Sequence, residues 1–181
     1  LVKISVVIPT IGRHSLAAAI ESAVWADELI VVSDGCAGAR WVLGELHLPG
    51  PYLVYVEIPR FGHQGLPRNT GHRLVSGDYV GFLDDDDAYV EGAGPIIRQG
   101  IEQAPGKAHT FKMRKMAGRE QHVGSPCTFI PMADCVPGDW WRQKNRGVDT
   151  NVFQWRARDT FGEVFHPEVI VQLRPHVVGV D

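Results

Sequence analysis

Cysteine is scarce in this chain, and the little there is forms no pattern. Cys36, Cys127 and Cys135 are odd in number and no C-x-x-C pair occurs. Neither a disulfide framework nor a cysteine-rich zinc site is indicated, and a reducing compartment, the cytosol, is expected. Long apolar runs are lacking too. None approaches the roughly 18 residues that a membrane span requires. The first apolar run is cut by Pro9 too soon to serve as a signal peptide. Charge of one sign is not in excess: a net charge of −3 gives no broad footprint for nucleic acid or an anionic membrane. Internal repeats, low-complexity tracts and linker-like stretches are absent, so residues 1–181 read as a single domain. With 44% hydrophobic and 22% charged residues, that domain has the means to bury a core.

Against this plain background one feature stands out. Asp84, Asp85, Asp86 and Asp87 follow directly on the apolar run Tyr79–Leu83. Four adjacent carboxylates repel one another and resist burial without a counter-charge. Their place at the end of a buried strand calls for a divalent cation, with a phosphorylated ligand beside it. In an extended chain, residues two apart point the same way, so Asp84 and Asp86 share one side and Asp85 and Asp87 the other. Two hard oxygen donors on one side suit Mn²⁺ or Mg²⁺. An EF-hand is excluded: counting from Asp84, the fifth, sixth and twelfth positions are Ala88, Tyr89 and Pro95, where an oxygen ligand, Gly and Glu belong.

The first half alternates strand and helix signals. Ile4–Ile8, Leu29–Val32, Tyr52–Ile58 and Tyr79–Leu83 read as buried strands, closed by Pro9, by Asp34 and Gly35, by Pro59 and by the aspartates. Between them, Leu16 to Val24, Arg40 to Leu48 and Pro67 to Val75 have helical character, and Glu91 to Gln103 follows as a helix. This order implies an α/β domain with a mainly parallel sheet flanked by helices. Ligands of such sheets bind beyond the carboxyl ends of the strands. One rim then gathers Thr10, Arg13, Asp34, the loop from Arg60 to Arg68 and the aspartates. The second half is less regular. His109 to Met116 alternates like an exposed strand, Thr128–Pro131 and Glu168–Leu173 read as further strands, and Val148–Arg158 as a helix.

Four segments together carry a resemblance. They are Ile4 to Thr10, Val31 to Gly35, Arg68 to Gly71, and Gly77 to Asp87. Their order and spacing over residues 3–105 resemble the motifs of family 2 glycosyltransferases of the GT-A fold. The resemblance implies a Rossmann-like sheet, with residues 1–105 binding a nucleotide-sugar and 106–181 forming the acceptor side. It implies an enzyme that moves a sugar from a nucleoside-diphosphate sugar, a UDP-sugar first among them, to a hydroxyl acceptor. By the same resemblance Thr10 lies where the first loop meets the nucleotide and Asp34 hydrogen-bonds the base; Arg13, on the same rim by topology, is expected to bind the nucleotide as well. Arg68 lies near the diphosphate. Asp84 and Asp86 match the D-x-D pair, with Asp84 near the ribose and metal and Asp86 on the metal.

Inverting transfer needs a general base for the acceptor hydroxyl. The family often carries it in a Glu-Asp pair at a helix start. The similar segment here runs from Asn145 to Asn151, with Val148 in the Glu position and Asp149 as the expected base; Asp139 and Asp134 are the alternatives. Some relatives add a late His as a metal ligand. His176, after Arg174 and Pro175, is the candidate, ahead of His166. Trp140, Trp141 and Trp155 serve either the core or a sugar face. Lys112, Arg114, Lys115 and Arg119 either guard an exposed strand edge or meet an anionic acceptor. The acceptor is open among small molecule, lipid-linked glycan, peptide and modified nucleic acid; the weak negative charge disfavours the last, though the basic stretch Lys112 to Arg119 keeps it open. Two other readings share the architecture. A sugar nucleotidyltransferase would carry a Gly-rich loop with Arg and Lys after the first strand, where this chain has Thr10-Ile11-Gly12-Arg13. A non-catalytic nucleotide-sugar-binding module would leave Asp149 dispensable.

Overall fold

A computed structural model describes residues 1–46, 52–114, 120–121, 124–133, 135, 140–141 and 149–173. The β-branched runs become strands because both of their faces find cover. The first strand, β1 (Ile4–Thr10), and the second, β2 (Glu28–Asp34), are buried along their whole length. β3 (Tyr52–Ile58) lies outside β2, and β4 (Tyr79–Phe82) lies on the other side of β1. All three pairings are parallel, as the alternation with helices predicts. The helices between them are α1 (Leu16–Ser22), α2 (Gly38–Glu45) and α3 (Gly65–Arg73).

Beyond β4 the pairing turns mixed. A short strand β5 (Asp87–Tyr89) leads to α4 (Ala93–Gln103). Then come β6 (Ala108–Arg114), β7 (Glu120–Gln121), β8 (Thr128–Pro131), α5 (Asp149–Phe161) and β9 (Glu163–Leu173). The sheet order is β3-β2-β1-β4-β8-β6-β9-β5, with β7 added beside β6. β8 runs antiparallel to both β4 and β6, whereas β6 and β9 run parallel.

Period-two alternation on the strands divides the core between two clusters. Val6, Ile8, Leu29 and Val31 pack with Leu16, Ile20, Ile97 and Ile101. Val7, Ile30, Val32, Val80 and Phe82 pack with Trp140, Trp141 and Phe153. β6 is not an exposed edge: Ala108 to Phe111 are all buried, because β8 and β9 flank it on both sides. Its alternating polar positions are Thr110, whose hydroxyl meets that of Thr128 at 3.3 Å inside the sheet, half-buried Lys112 and exposed Arg114.

Candidate active site

The carboxyl ends of the parallel strands meet at a cavity of about 420 Å³. Thr10, Ile11 and Arg13 come from the loop after β1, and Asp34 ends β2. Arg60, Gly62, His63 and Gln64 come from the loop before α3, and Asp84, Asp85 and Asp86 follow β4.

The aspartates do not stay extended. The backbone N–H of Asp87 donates to the carbonyl of Asp84 at 3.1 Å, which reverses the chain at residues 85–86. The turn breaks the period of two and changes the partners. Oxygens of Asp84, Asp86 and Asp87 all lie within 4.8 Å of one another. Asp85 points elsewhere and is 3% exposed. Its Oδ2 accepts the Thr10 hydroxyl at 2.7 Å and the Ile11 N–H at 3.2 Å. Its Oδ1 accepts Arg13 Nη1 at 2.6 Å. Asp84 and Asp86 come together through this turn rather than through an extended chain, Asp87 joins them, and Asp85 ties down the first loop.

That loop is tightly determined. Thr10 Oγ1 also accepts the Gly12 N–H at 2.9 Å. Gly12 has a φ of 85°, and a Cβ there would meet Cys36 Sγ at 2.3 Å, so only glycine fits. Arg13 Nη1 reaches Asp86 Oδ2 at 3.2 Å as well. Burial works against the Arg13 charge, yet Asp85, Asp86 and Asp84 outweigh it and hold the guanidinium pKa above its ordinary value.

Asp34 is 5% exposed and borders the cavity. Its two oxygens accept the backbone N–H groups of Phe61 at 2.5 Å and Gly62 at 2.8 Å. It therefore shapes the loop before α3. An ionised carboxylate offers about four acceptor sites, so lone pairs remain for a ligand donor.

Arg68 sits on α3 and is fully buried, outside the cavity lining. Its Nη2 pairs with Asp84 Oδ1 and approaches Ser125 Oγ at 3.3 Å. Its guanidinium carbon lies 4.2 Å from the centre of the Trp141 ring. Nε and Nη1 have no hydrogen-bond partner among the described residues. Arg68 thus acts on the cavity through Asp84. Next to it, Asn69 clamps the Trp141 backbone, donating to its carbonyl at 2.8 Å and accepting its N–H at 2.9 Å. Sequence reasoning missed this clamp, since its partners are 72 residues apart.

Asp149 is the first residue of α5, where the helix start was expected one residue earlier. Asp134, Asp139, Val148, His176, Lys115 and Arg119 lie outside the described residues. His166 does not join the acidic group. It stacks on Phe111 with ring centres 4.3 Å apart, and its Nε2 meets His109 Nδ1 at 2.9 Å. Trp140 and Trp141 belong to the core, whereas Trp155 is 56% exposed. Arg114 is exposed at the end of β6, and Lys112 is half-buried on it.

The family described as "Glycosyl transferase family 2" matches residues 5–107. Among solved structures, S. aureus TarS 1-349 in complex with UDP-GlcNAc superposes with a TM-score of 0.80 at 16% identity, over 96% of this chain and 59% of that one. A mannosyltransferase, PcManGT from Pyrobaculum calidifontis, solved with GDP-Man and Mn²⁺, gives a TM-score of 0.75 at 14% identity, over 98% of this chain and 58% of that one. The chain thus spans about three-fifths of the TarS 1-349 and PcManGT chains and 37% of a longer TarS chain. No sequence among curated proteins matches it. The likeness shows the fold, GT-A, with an α/β sheet arranged as in these structures.

Proposed function

Because this chain belongs to glycosyl transferase family 2, we propose that it transfers a sugar from a nucleoside-diphosphate sugar, a UDP-sugar first among them, to a hydroxyl acceptor. The observation that carries this reading is the convergence of Asp34, the Thr10–Arg13 loop and the acidic turn on one cavity. Residues 1–105 form the donor side and 106–181 the acceptor side.

The acidic group suits a divalent cation. Asp84, Asp86 and Asp87 offer only hard carboxylate oxygens, close enough together to share one small ion. Mn²⁺ and Mg²⁺ both fit that donor set. When bound, such an ion neutralises the charge of a departing diphosphate. The remaining work falls to side chains. Asp34 and the loop it shapes receive the base, and Thr10 and Arg13 line the donor's path. Arg68 steadies Asp84 from beneath. Asp149, at the head of α5, takes the proton from the acceptor hydroxyl, which gives inversion. His176 is proposed as a further ligand of the ion.

The test is a thermal-shift series with UDP, GDP, CDP and TDP, each with and without Mn²⁺, followed by assay of Asp149→Asn. We expect stabilisation by one diphosphate only when Mn²⁺ is present. In Asp149→Asn we expect unchanged nucleotide binding, with transfer reduced by about 10²–10⁴. A folded protein that no nucleotide stabilises would overturn the donor assignment, and full transfer by Asp149→Asn would overturn the base.

A further inference from the structure

Two guanidiniums face the acidic turn, and they are held differently. Arg68 is fully buried against Trp141 and fixed on Asp84. The Arg13 side chain is 38% exposed and lines the cavity. One of its attachments is firm: Asp85 is 4% exposed at its side chain and is also bound by Thr10 and Ile11. The other is looser. Asp86 is 22% exposed, lies 3.2 Å from Arg13 Nη1 and belongs to the group that suits a cation.

We propose that Arg13 is a built-in counter-ion, which opposes divalent-cation binding at Asp86 while the donor site is empty and turns to the donor's diphosphate when cation and donor bind together. This inference rests on the functional reading above. Its physical basis is the sign of the charges. A guanidinium and a divalent ion that share one carboxylate repel each other at close range in a partly dehydrated site. A diphosphate reverses the balance. Its negative oxygens match the guanidinium fork and accept charge-assisted hydrogen bonds from it. The same arginine therefore weakens cation binding alone and strengthens donor binding once the cation is present. Cation and donor then load together rather than separately.

Arg13→Gln tests this, with Arg13→Lys as the charge-retaining counterpart. Mn²⁺ binding without nucleotide is measured by electron paramagnetic resonance of the free ion, and UDP binding at saturating Mn²⁺ by calorimetry. We expect Arg13→Gln to bind Mn²⁺ alone about tenfold more tightly than wild type and to bind UDP about tenfold more weakly. Arg13→Lys should keep wild-type Mn²⁺ affinity. A melting curve checks folding, and Arg13→Met serves the same comparison if the Gln variant does not fold. The two changes must have opposite sign. If Mn²⁺ binding in Arg13→Gln is unchanged or weaker, or UDP binding is not weakened, while wild type binds both, the counter-ion role is overturned and the functional reading stands. If wild type binds neither Mn²⁺ nor any of UDP, GDP, CDP and TDP, both are overturned.

Discussion

At the scale of single residues, the four aspartates separate into two jobs, and substitution should tell them apart. Asp85 is buried and satisfies Thr10, the Ile11 N–H and Arg13. Removing it strips a buried hydroxyl and a backbone donor of their partner and releases a cation. Asp85→Ala should therefore cost about 2–4 kcal/mol of stability. Asp86 is more exposed, with Arg13 beside it, so Asp86→Ala should cost about 1 kcal/mol or less while abolishing Mn²⁺ binding. Chemical denaturation and Mn²⁺ titration of the two variants check this contrast, and equal stability losses would contradict it. Much of the site was legible before the structure. Strand order alone brings Thr10, Arg13, Asp34 and the aspartates to one rim, because parallel strands separated by helices must end together. The division of labour within the acidic run was not legible. It depends on one backbone hydrogen bond between Asp87 and Asp84, and nothing in four identical side chains marks where the chain turns.

At the scale of elements, the strands of the parallel half were the most readable part. Continuous β-branched runs closed by Pro, Gly or Asp leave little choice, and the bounds of β3 coincide with those read from the sequence, Tyr52 to Ile58. β5 and the first half of β9 were not foreseen. β5 has three residues and owes its form to pairing with β9, a contact between distant segments. The seating of α3 is another long-range property that sequence conceals. Gly71 lies so close to the sheet that a Cβ would come within 2.3 Å of Val7 Cγ1 and 3.2 Å of Val32 Cγ2. Gly71→Ala should push α3 off β1, carry Arg68 with it and cost about 1–3 kcal/mol. Gly44 in α2 offers the opposite case, since a Cβ there meets nothing within 4 Å. Gly44→Ala should stabilise by roughly 0.5–1 kcal/mol through helix propensity alone. Melting temperatures of the pair should move in opposite directions, and UDP affinity should fall only in Gly71→Ala.

At the scale of the whole molecule, two buried histidines couple the stability of both halves to pH. His72 on α3 packs against Phe82 and Trp140, with its Nε2 3.5 Å from Cys135 Sγ. Burial first, and Arg73 second, bring its pKa down to about 4. His109 on β6 lies between the Ala104 carbonyl and His166. Burial is the main cause that brings it, too, down to about 4; the Ala104 carbonyl opposes the shift and His166 adds to it. Both rings are therefore neutral in the folded protein, whereas in the unfolded chain they titrate near 6.5. As pH falls through 6.5 the unfolded state takes up protons that the folded state refuses, so stability declines. The decline continues to about pH 4, where the folded rings also charge and the contribution levels off. At one pH unit the effect is about 1.4 kcal/mol per group, so the pair should remove several kcal/mol by the foot of the window. Urea midpoints at pH 7, 6 and 5 isolate this effect from most carboxylates, which titrate lower. We expect the midpoint to fall steadily over that range, with a shallower slope in His109→Gln even if that variant is less stable throughout. A midpoint that stays level from pH 7 to 5 would mean that neither ring is held neutral by the fold.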